Sequence, residues 1–109
     1  MSGMIDTLAR LEATTRARRT ADPDSSYVAK LSAKGRAKIA QKVGEEAVET
    51  VIAAMANDRD GVTSEAADLL FHLSVLLADM DLSMQDVCAE LDRREGVSGI
   101  AEKAARPQE

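Results

Sequence analysis

The 109-residue chain has no tryptophan, and Tyr27 and Phe71 are its only aromatic residues. Its core must therefore be aliphatic. Platforms for stacking nucleotide bases are scarce and the net charge is −5, which together argue against nucleic acid as a partner. Cys88 stands alone, which excludes an intramolecular disulfide and any thiolate-rich metal site. Beside Val87 and Leu91 in a helical pattern, it reads as a small buried hydrophobe. The two prolines, Pro23 and Pro107, lie outside the long periodic segments. Met1-Ser2-Gly3-Met4 opens no apolar signal region, and the longest uncharged apolar run, Leu69 to Ala78, is too short to span a bilayer. The expectation is a cytoplasmic protein with no membrane partner.

Positive charge is missing from one stretch in particular. Between Lys42 and Arg93 the only basic residue is Arg59, yet this stretch holds Glu45-Glu46-x-x-Glu49 and Glu65-x-x-Asp68. Residues 1–43 carry nine Lys/Arg against four Asp/Glu, whereas residues 44–109 carry five against fifteen. Like charges three or four residues apart on a helix repel by a few tenths of a kcal/mol per pair, about 0.2–0.5. Uncompensated acids at this spacing call for an outside cation, and a hard divalent ion with oxygen ligands fits them. The basic first third can serve an anionic ligand beside that ion, or can be ordinary solvated surface.

Hydrophobic periodicity is helical nearly throughout, with no alternating strand pattern. A first helix is expected from Met4 to Arg19, with Ile5, Leu8 and Leu11 on one face. Ala21-Asp22-Pro23-Asp24-Ser25 breaks it, and Ser25 or Ser26 can cap a short helix through Leu31. Gly35 then precedes a long helix to about Ala56, and Asn57-Asp58-Arg59-Asp60-Gly61 reads as a turn. Thr63 can cap the next helix, placing Glu65 in its first turn, and this helix reaches about Met80. Ser83 and Asp86 make a capping box for a last helix through Arg94. The chain is thus expected to be one all-α domain over residues 1–95, followed by a mobile tail over 96–109. So short a chain, with helices apolar around most of their circumference, predicts an antiparallel helical bundle completed by homo-oligomerisation, most simply as a dimer.

At about 100° per residue, Glu45, Glu46 and Glu49 fall within one arc of their helix, and Lys42 and Lys38 lie on the same stripe one and two turns earlier. Lys42 is equally placed for plain pairs with Glu45 and Glu46. On the following helix Glu65, Asp68 and His72 share a narrow polar stripe, and an antiparallel hairpin would bring the two stripes together. Carboxylates a turn apart on facing helices can supply a Mg2+ site, with water and substrate phosphates as further ligands. His72, four residues after Asp68, suits a local Asp–His pair or the support of a metal ligand from behind. A ferritin-like Glu-x-x-His motif is absent, which argues against di-iron chemistry.

Lys42-Val43-Gly44-Glu45-Glu46-Ala47-x-Glu49 and Glu65-x-Ala67-Asp68-Leu69-x-x-His72 closely resemble the phosphoribosyl-ATP pyrophosphohydrolases of histidine biosynthesis. More broadly they resemble the all-α nucleoside triphosphate pyrophosphohydrolases of the MazG type, which have a four-helix-bundle core. Ser26-Tyr27-x-x-x-Leu31, Gly35 and Asp86-Val87-x-x-Glu90-Leu91 also look like the histidine-pathway branch. Two positions depart from it: Phe71 stands where Tyr is frequent, and Asp81 where Gly commonly closes the preceding helix. The resemblance implies Mg2+-dependent hydrolysis of phosphoribosyl-ATP to phosphoribosyl-AMP and pyrophosphate, with Mn2+ as a possible substitute.

The metal ligands expected from spacing and resemblance are Glu46, Glu49, Glu65 and Asp68, with Glu45 as a further ligand or as the base that orients water. Lys30, Lys34, Arg36, Lys38 and Lys42 are candidates for phosphate contacts. Two other readings remain open from the sequence: a house-cleaning pyrophosphohydrolase of non-standard nucleotides, and a non-catalytic helical interaction module whose acids are only surface charge.

Overall fold

The computed structural model describes residues 3–96 and 99–107. Its elements are α1 (Met4–Arg18), α2 (Tyr27–Lys34), α3 (Arg36–Met55), α4 (Arg59–Asp79), α5 (Met84–Arg94) and α6 (Gly99–Ala105). The fold is all-α, with no strand among the described residues. Two long helices, α3 and α4, pack along each other as an antiparallel hairpin, and α1 and α2 lie against them.

Local chemistry sets the breaks. The Ser26 hydroxyl accepts from the Ala29 amide at 3.1 Å and starts α2. Gly35, at φ +98°, ends α2 and begins α3, a conformation that a side chain would strain. At the far end of α4, Asp81 adopts φ +56°. This is the left-handed conformation that a glycine closing a helix supplies, so the departure at Asp81 keeps the backbone and changes the residue. Ser83 and Asp86 form the expected capping box of α5. Glu12 of α1 adds a further acceptor there, taking the Met84 amide at 2.7 Å.

The expected cap of α4 is displaced. Asp58, not Thr63, starts the helix, accepting from the Gly61 amide at 2.9 Å. The Thr63 hydroxyl instead donates to the Arg59 carbonyl within the helix at 3.1 Å. Glu65 is therefore two turns inside α4, beyond the reach of its N-terminal dipole. The earlier start also makes α4 21 residues long with a mean hydropathy of 1.3 over its most apolar part, enough by length and composition to cross a membrane. The uncharged apolar run within it remains residues 69–78, as the sequence reads. In the fold α4 packs against α1, α2 and α3.

The aliphatic core forms where these helices meet, from Val28, Leu31, Ile39 and Val75, with Phe71 and Leu76 packed against it. Thr15 and Ser74 are buried in the same interior and satisfy each other at 3.1 Å. Arg36 and Arg19 both reach Asp79, Arg36 at 2.8 Å, tying the start of α3 and the end of α1 to the end of α4.

Large apolar areas stay uncovered. On α3, Val48, Val51, Ile52 and Met55 are 57–80% exposed. Cys88 is exposed beside Val87 and Leu91, correcting its expected burial: none of the described residues covers that face of α5. In the C-terminal segment expected to be a mobile tail, the seven-residue α6 leaves Ile100 exposed. Residues 97, 98, 108 and 109 of that segment lie outside the described residues.

Candidate metal centre

The α3–α4 hairpin turns two sequence stripes into one cluster. Glu46 and Glu49 on α3 and Glu65 on α4 each offer a carboxylate oxygen, all within 4.8 Å of one another. Glu46 is buried at 8% exposure, Glu65 is half-buried and Glu49 is exposed, so the cluster opens to solvent on the Glu49 side. Oε2 of Glu65 is fully enclosed and lacks a hydrogen-bond partner. A deprotonated carboxylate oxygen only accepts, and the side chains gathered around Glu65 in this cluster are two further carboxylates. A proton or a cation must come between them.

Electrostatics reflect this crowding. Glu65 is pushed up to about 7, first by the Glu49 carboxylate, which can accept its proton only while Glu65 is protonated, then by burial and by Glu46. No Lys or Arg among the described residues pairs with Glu49, Glu65 or Asp68. The enclosed orphan oxygen and the all-carboxylate donor set fit a hard divalent ion.

Glu45 and Asp68 fall outside this three-carboxylate cluster. Glu45 accepts from the Gln41 amide at 3.0 Å and pairs with Lys42 at 3.4 Å. These two donors hold its carboxyl below the usual range, which weakens it as a proton acceptor. Asp68 is exposed one turn further along α4 than Glu65.

Lys42 also reaches Glu46 at 3.7 Å, so α3 does carry an internal cationic partner for two of its three acids. The charge without a counterion is therefore narrower than the sequence implies, and it is concentrated at Glu49, Glu65 and Asp68. Lys38 is half-buried on the same stripe and contributes to the field at Glu45. Lys30 and Lys34 project from α2 into solvent. Arg36, bound to Asp79, is committed to the fold.

His72 does not pair with the Asp68 carboxylate as expected. Its Nδ1 lies 2.7 Å from the Asp68 backbone carbonyl and its Nε2 2.8 Å from the Tyr27 hydroxyl. A helix directs side chains back over the preceding turn, which aims the ring of His72 at the carbonyl four residues earlier. Phe71 and Tyr27 stack with centroids 6.0 Å apart, and both meet the His72 ring edge-on. Helical spacing within α4 could not reveal Tyr27 as the partner. Its sequence signals are that it is one of two aromatics in the chain and that it stands in the Ser26-Tyr27-x-x-x-Leu31 segment.

An all-α chain with a three-carboxylate cluster on an antiparallel helix pair is the class of protein that the fold and site define. Comparison with known families narrows the class. The family model described as phosphoribosyl-ATP pyrophosphohydrolase matches residues 8–95, and the chain belongs to that family. A phosphoribosyl-ATP pyrophosphatase of Rhizorhabdus wittichii is 71% identical over 105 residues, covering 96% of this chain and 99% of that one. Proteins of the same name from Novosphingobium aromaticivorans and Dinoroseobacter shibae are 68% and 61% identical, covering 91% and 94% of this chain and 92% and 100% of their own.

Proposed function

We propose that the protein hydrolyses the α–β phosphoanhydride of phosphoribosyl-ATP, yielding phosphoribosyl-AMP and pyrophosphate in histidine biosynthesis, with Mg2+ held between α3 and α4. The observation that carries this reading is the enclosed, partnerless oxygen of Glu65 beside Glu46 and Glu49, on a chain of the phosphoribosyl-ATP pyrophosphohydrolase family. Glu46, Glu49 and Glu65 are the central ligands. Asp68 is a further ligand one turn along α4, and Glu45 a flanking ligand or an orienter of water. Mn2+, another oxygen-preferring ion, is expected to substitute.

When bound, Mg2+ would neutralise phosphate charge and make a coordinated water more acidic. The chain supplies the rest. Glu46 and Glu49 hold their positions because α3 is one uninterrupted helix, and Glu65 faces them because the three-residue link Ala56–Asp58 folds α4 back. Lys42, at the edge of the cluster, offers an ammonium to a phosphate oxygen, and Lys38, Lys30 and Lys34 extend the positive field along α3 and α2. Such groups act by positioning and charge stabilisation, which dominate phosphoryl transfer.

A homodimer belongs to the same proposal. Val48, Val51 and Ile52 flank Glu49 on α3, and a shallow groove lined by Glu45, Val48, Glu49 and Ile52 lies open to solvent there. A second copy covering this face would bury the patch and close the cluster from bulk water. The substrate is a nucleotide, and we place its hydrolysis in the cytoplasm.

Pyrophosphate release from phosphoribosyl-ATP, measured with and without Mg2+ beside a panel of free nucleoside triphosphates, tests the reading. Metal-dependent turnover of phosphoribosyl-ATP above the panel is expected. Preference for a free nucleotide would shift the function to nucleotide house-cleaning, and absence of both metal binding and hydrolysis would leave an interaction module.

A further inference from the structure

Helix α2 has two unlike sides. Val28, Ala29 and Leu31 are buried against the core, whereas Tyr27, Lys30 and Lys34 are exposed. At about 100° per residue these three fall within an arc of about 60°, so one aromatic ring is followed by two ammonium groups along about 10 Å of helix axis. Neither lysine has an ion-pair partner among the described residues.

The ring is held in place. The Asp68 carbonyl can only accept, so His72 Nδ1, 2.7 Å away, carries the hydrogen, and Nε2 accepts from the Tyr27 hydroxyl at 2.8 Å. Phe71 stacks against Tyr27 with centroids 6.0 Å apart, and 49% of Tyr27 remains exposed. Tyr27 and Phe71 are the only Tyr, Phe or Trp residues of the chain, so this is its one aromatic platform for a nucleobase. A single imidazole joins that platform to the turn of α4 that carries Asp68.

Two contacts set the direction of α2. Tyr27, its first residue, meets α4 at His72, and Arg36, two residues beyond its last, meets α4 at Asp79. The helix therefore leads away from Glu65 and Asp68, which come earlier on α4. Carboxylate cluster, aromatic ring and two lysines follow one another in that order. Phosphoribosyl-ATP has a matching order of groups: triphosphate, ribose, adenine, then a second ribose that ends in a phosphate. ATP stops at the adenine.

We infer that the exposed stripe of α2 reads the nucleoside end of the substrate: Tyr27 stacks on the adenine, and Lys30 and Lys34 hold the phosphate of the phosphoribosyl arm. The inference rests on the proposed hydrolysis of phosphoribosyl-ATP for the identity of these groups. It gives α2 the discrimination between phosphoribosyl-ATP and free nucleoside triphosphates. The metal centre cannot supply this, because the triphosphate is common to both. Lysine suits an arm at the surface, since it binds phosphate as a point charge on a flexible stem.

Calorimetry on the full chain in saturating Mg2+ tests it, with phosphoribosyl-AMP, AMP and pyrophosphate as the probes. The native chain should bind phosphoribosyl-AMP at least about tenfold more tightly than AMP, the effect of one charge-assisted contact, and high salt should narrow the gap. The double variant Lys30→Met/Lys34→Met should lose this preference while its affinities for AMP and pyrophosphate stay within about twofold of native. Its KM for phosphoribosyl-ATP should rise by about the same factor of ten. Tyr27→Leu should weaken AMP and phosphoribosyl-AMP alike by about tenfold and leave pyrophosphate binding unchanged, whereas Tyr27→Phe, which keeps a ring, should retain most of the affinity for both.

Equal losses for AMP and phosphoribosyl-AMP in the lysine variant, or no preference between them in the native chain, would overturn the role of the lysines. Native AMP affinity in Tyr27→Leu would overturn that of the ring. Should Tyr27→Leu lose helix content, the native chain decides: Tyr27 is its only tyrosine and tryptophan is absent, so AMP should quench the tyrosine fluorescence, and an unquenched signal at saturation sinks the stacking. A chain that binds phosphoribosyl-AMP in this way yet fails to hydrolyse phosphoribosyl-ATP would remove the proposed activity and leave the reading of α2 intact.

Discussion

Glu49 of α3 and Glu65 of α4 face each other across the hairpin with carboxylate oxygens within 4.8 Å, and this relation is the first cause of the rise of Glu65 to about 7. Its consequence for the metal-free protein follows from linkage. The unfolded Glu65 has the ordinary value of 4.5, so between 4.5 and about 7 the folded state binds more protons than the unfolded one. This group's contribution to stability therefore falls as pH rises through that window, the opposite of an acid held by a salt bridge. In chelator, the melting temperature of the native chain should decline from pH 5 to pH 8 relative to Glu65→Gln, and Mg2+ at pH 8 should reverse the decline. Parallel pH profiles for the two proteins would count against the cluster.

Loss of a central ligand should be severe and specific. Glu49→Gln keeps the shape of the side chain and removes its charge. It is expected to lower Mg2+ affinity and turnover by more than about 100-fold, above the 10- to 100-fold typical of groups behind the ligands. Helix content by circular dichroism should not change. Metal titration by calorimetry and pyrophosphate release read the two effects separately.

Asp68→Asn asks whether the exposed carboxylate one turn from Glu65 joins the ligand set. Abolished Mg2+-dependent turnover with intact helix content is expected. Native turnover would restrict the set to residues within the three-carboxylate cluster.

Arg36 and Lys42 should separate structure from substrate binding. Arg36 is partly exposed and paired with Asp79, so Arg36→Ala should cost no more than about 1 kcal/mol in urea denaturation, as exposed pairs do. Its KM for phosphoribosyl-ATP should stay within about twofold, since the guanidinium is engaged away from the cluster. Lys42→Met should do the reverse, raising KM with little change in the denaturation midpoint.

The apolar seam of α3 predicts assembly. Val51→Asp places a charge on a face that is 60% exposed in one chain, so it should leave the helical fold intact. Light scattering should show the native chain as a dimer and the variant as a monomer. A monomeric native chain at micromolar concentration would remove the dimer from the proposal.

Helical periodicity made the two long helices and both acidic stripes legible, because each is a property of spacing along one element. The Ser26 cap and the Ser83–Asp86 box were legible for the same reason. The start of α4 was not, since Asp58 and Thr63 both suit a cap and the choice depends on how far the turn from α3 extends. The partner of His72 was hidden because Tyr27 lies 45 positions away on another helix. Cys88 was misread because an apolar pattern marks a face that wants cover without saying which chain supplies it. Lys42 was the intermediate case: spacing allowed both the plain ion pair and the phosphate contact, and the geometry shows the pair while leaving the ammonium beside the cluster.

Among the described helices, α3 carries folding, chemistry and a proposed assembly surface together. Ile39 fills the interior, Lys42 and the three glutamates occupy the polar stripe, and Val48, Val51, Ile52 and Met55 form the open seam. Substitutions on three of its sides touch folding, chemistry or assembly. Saturation mutagenesis scored by growth should therefore show α3 as a continuous band of intolerance, whereas the outer face of α5 should accept polar replacements freely.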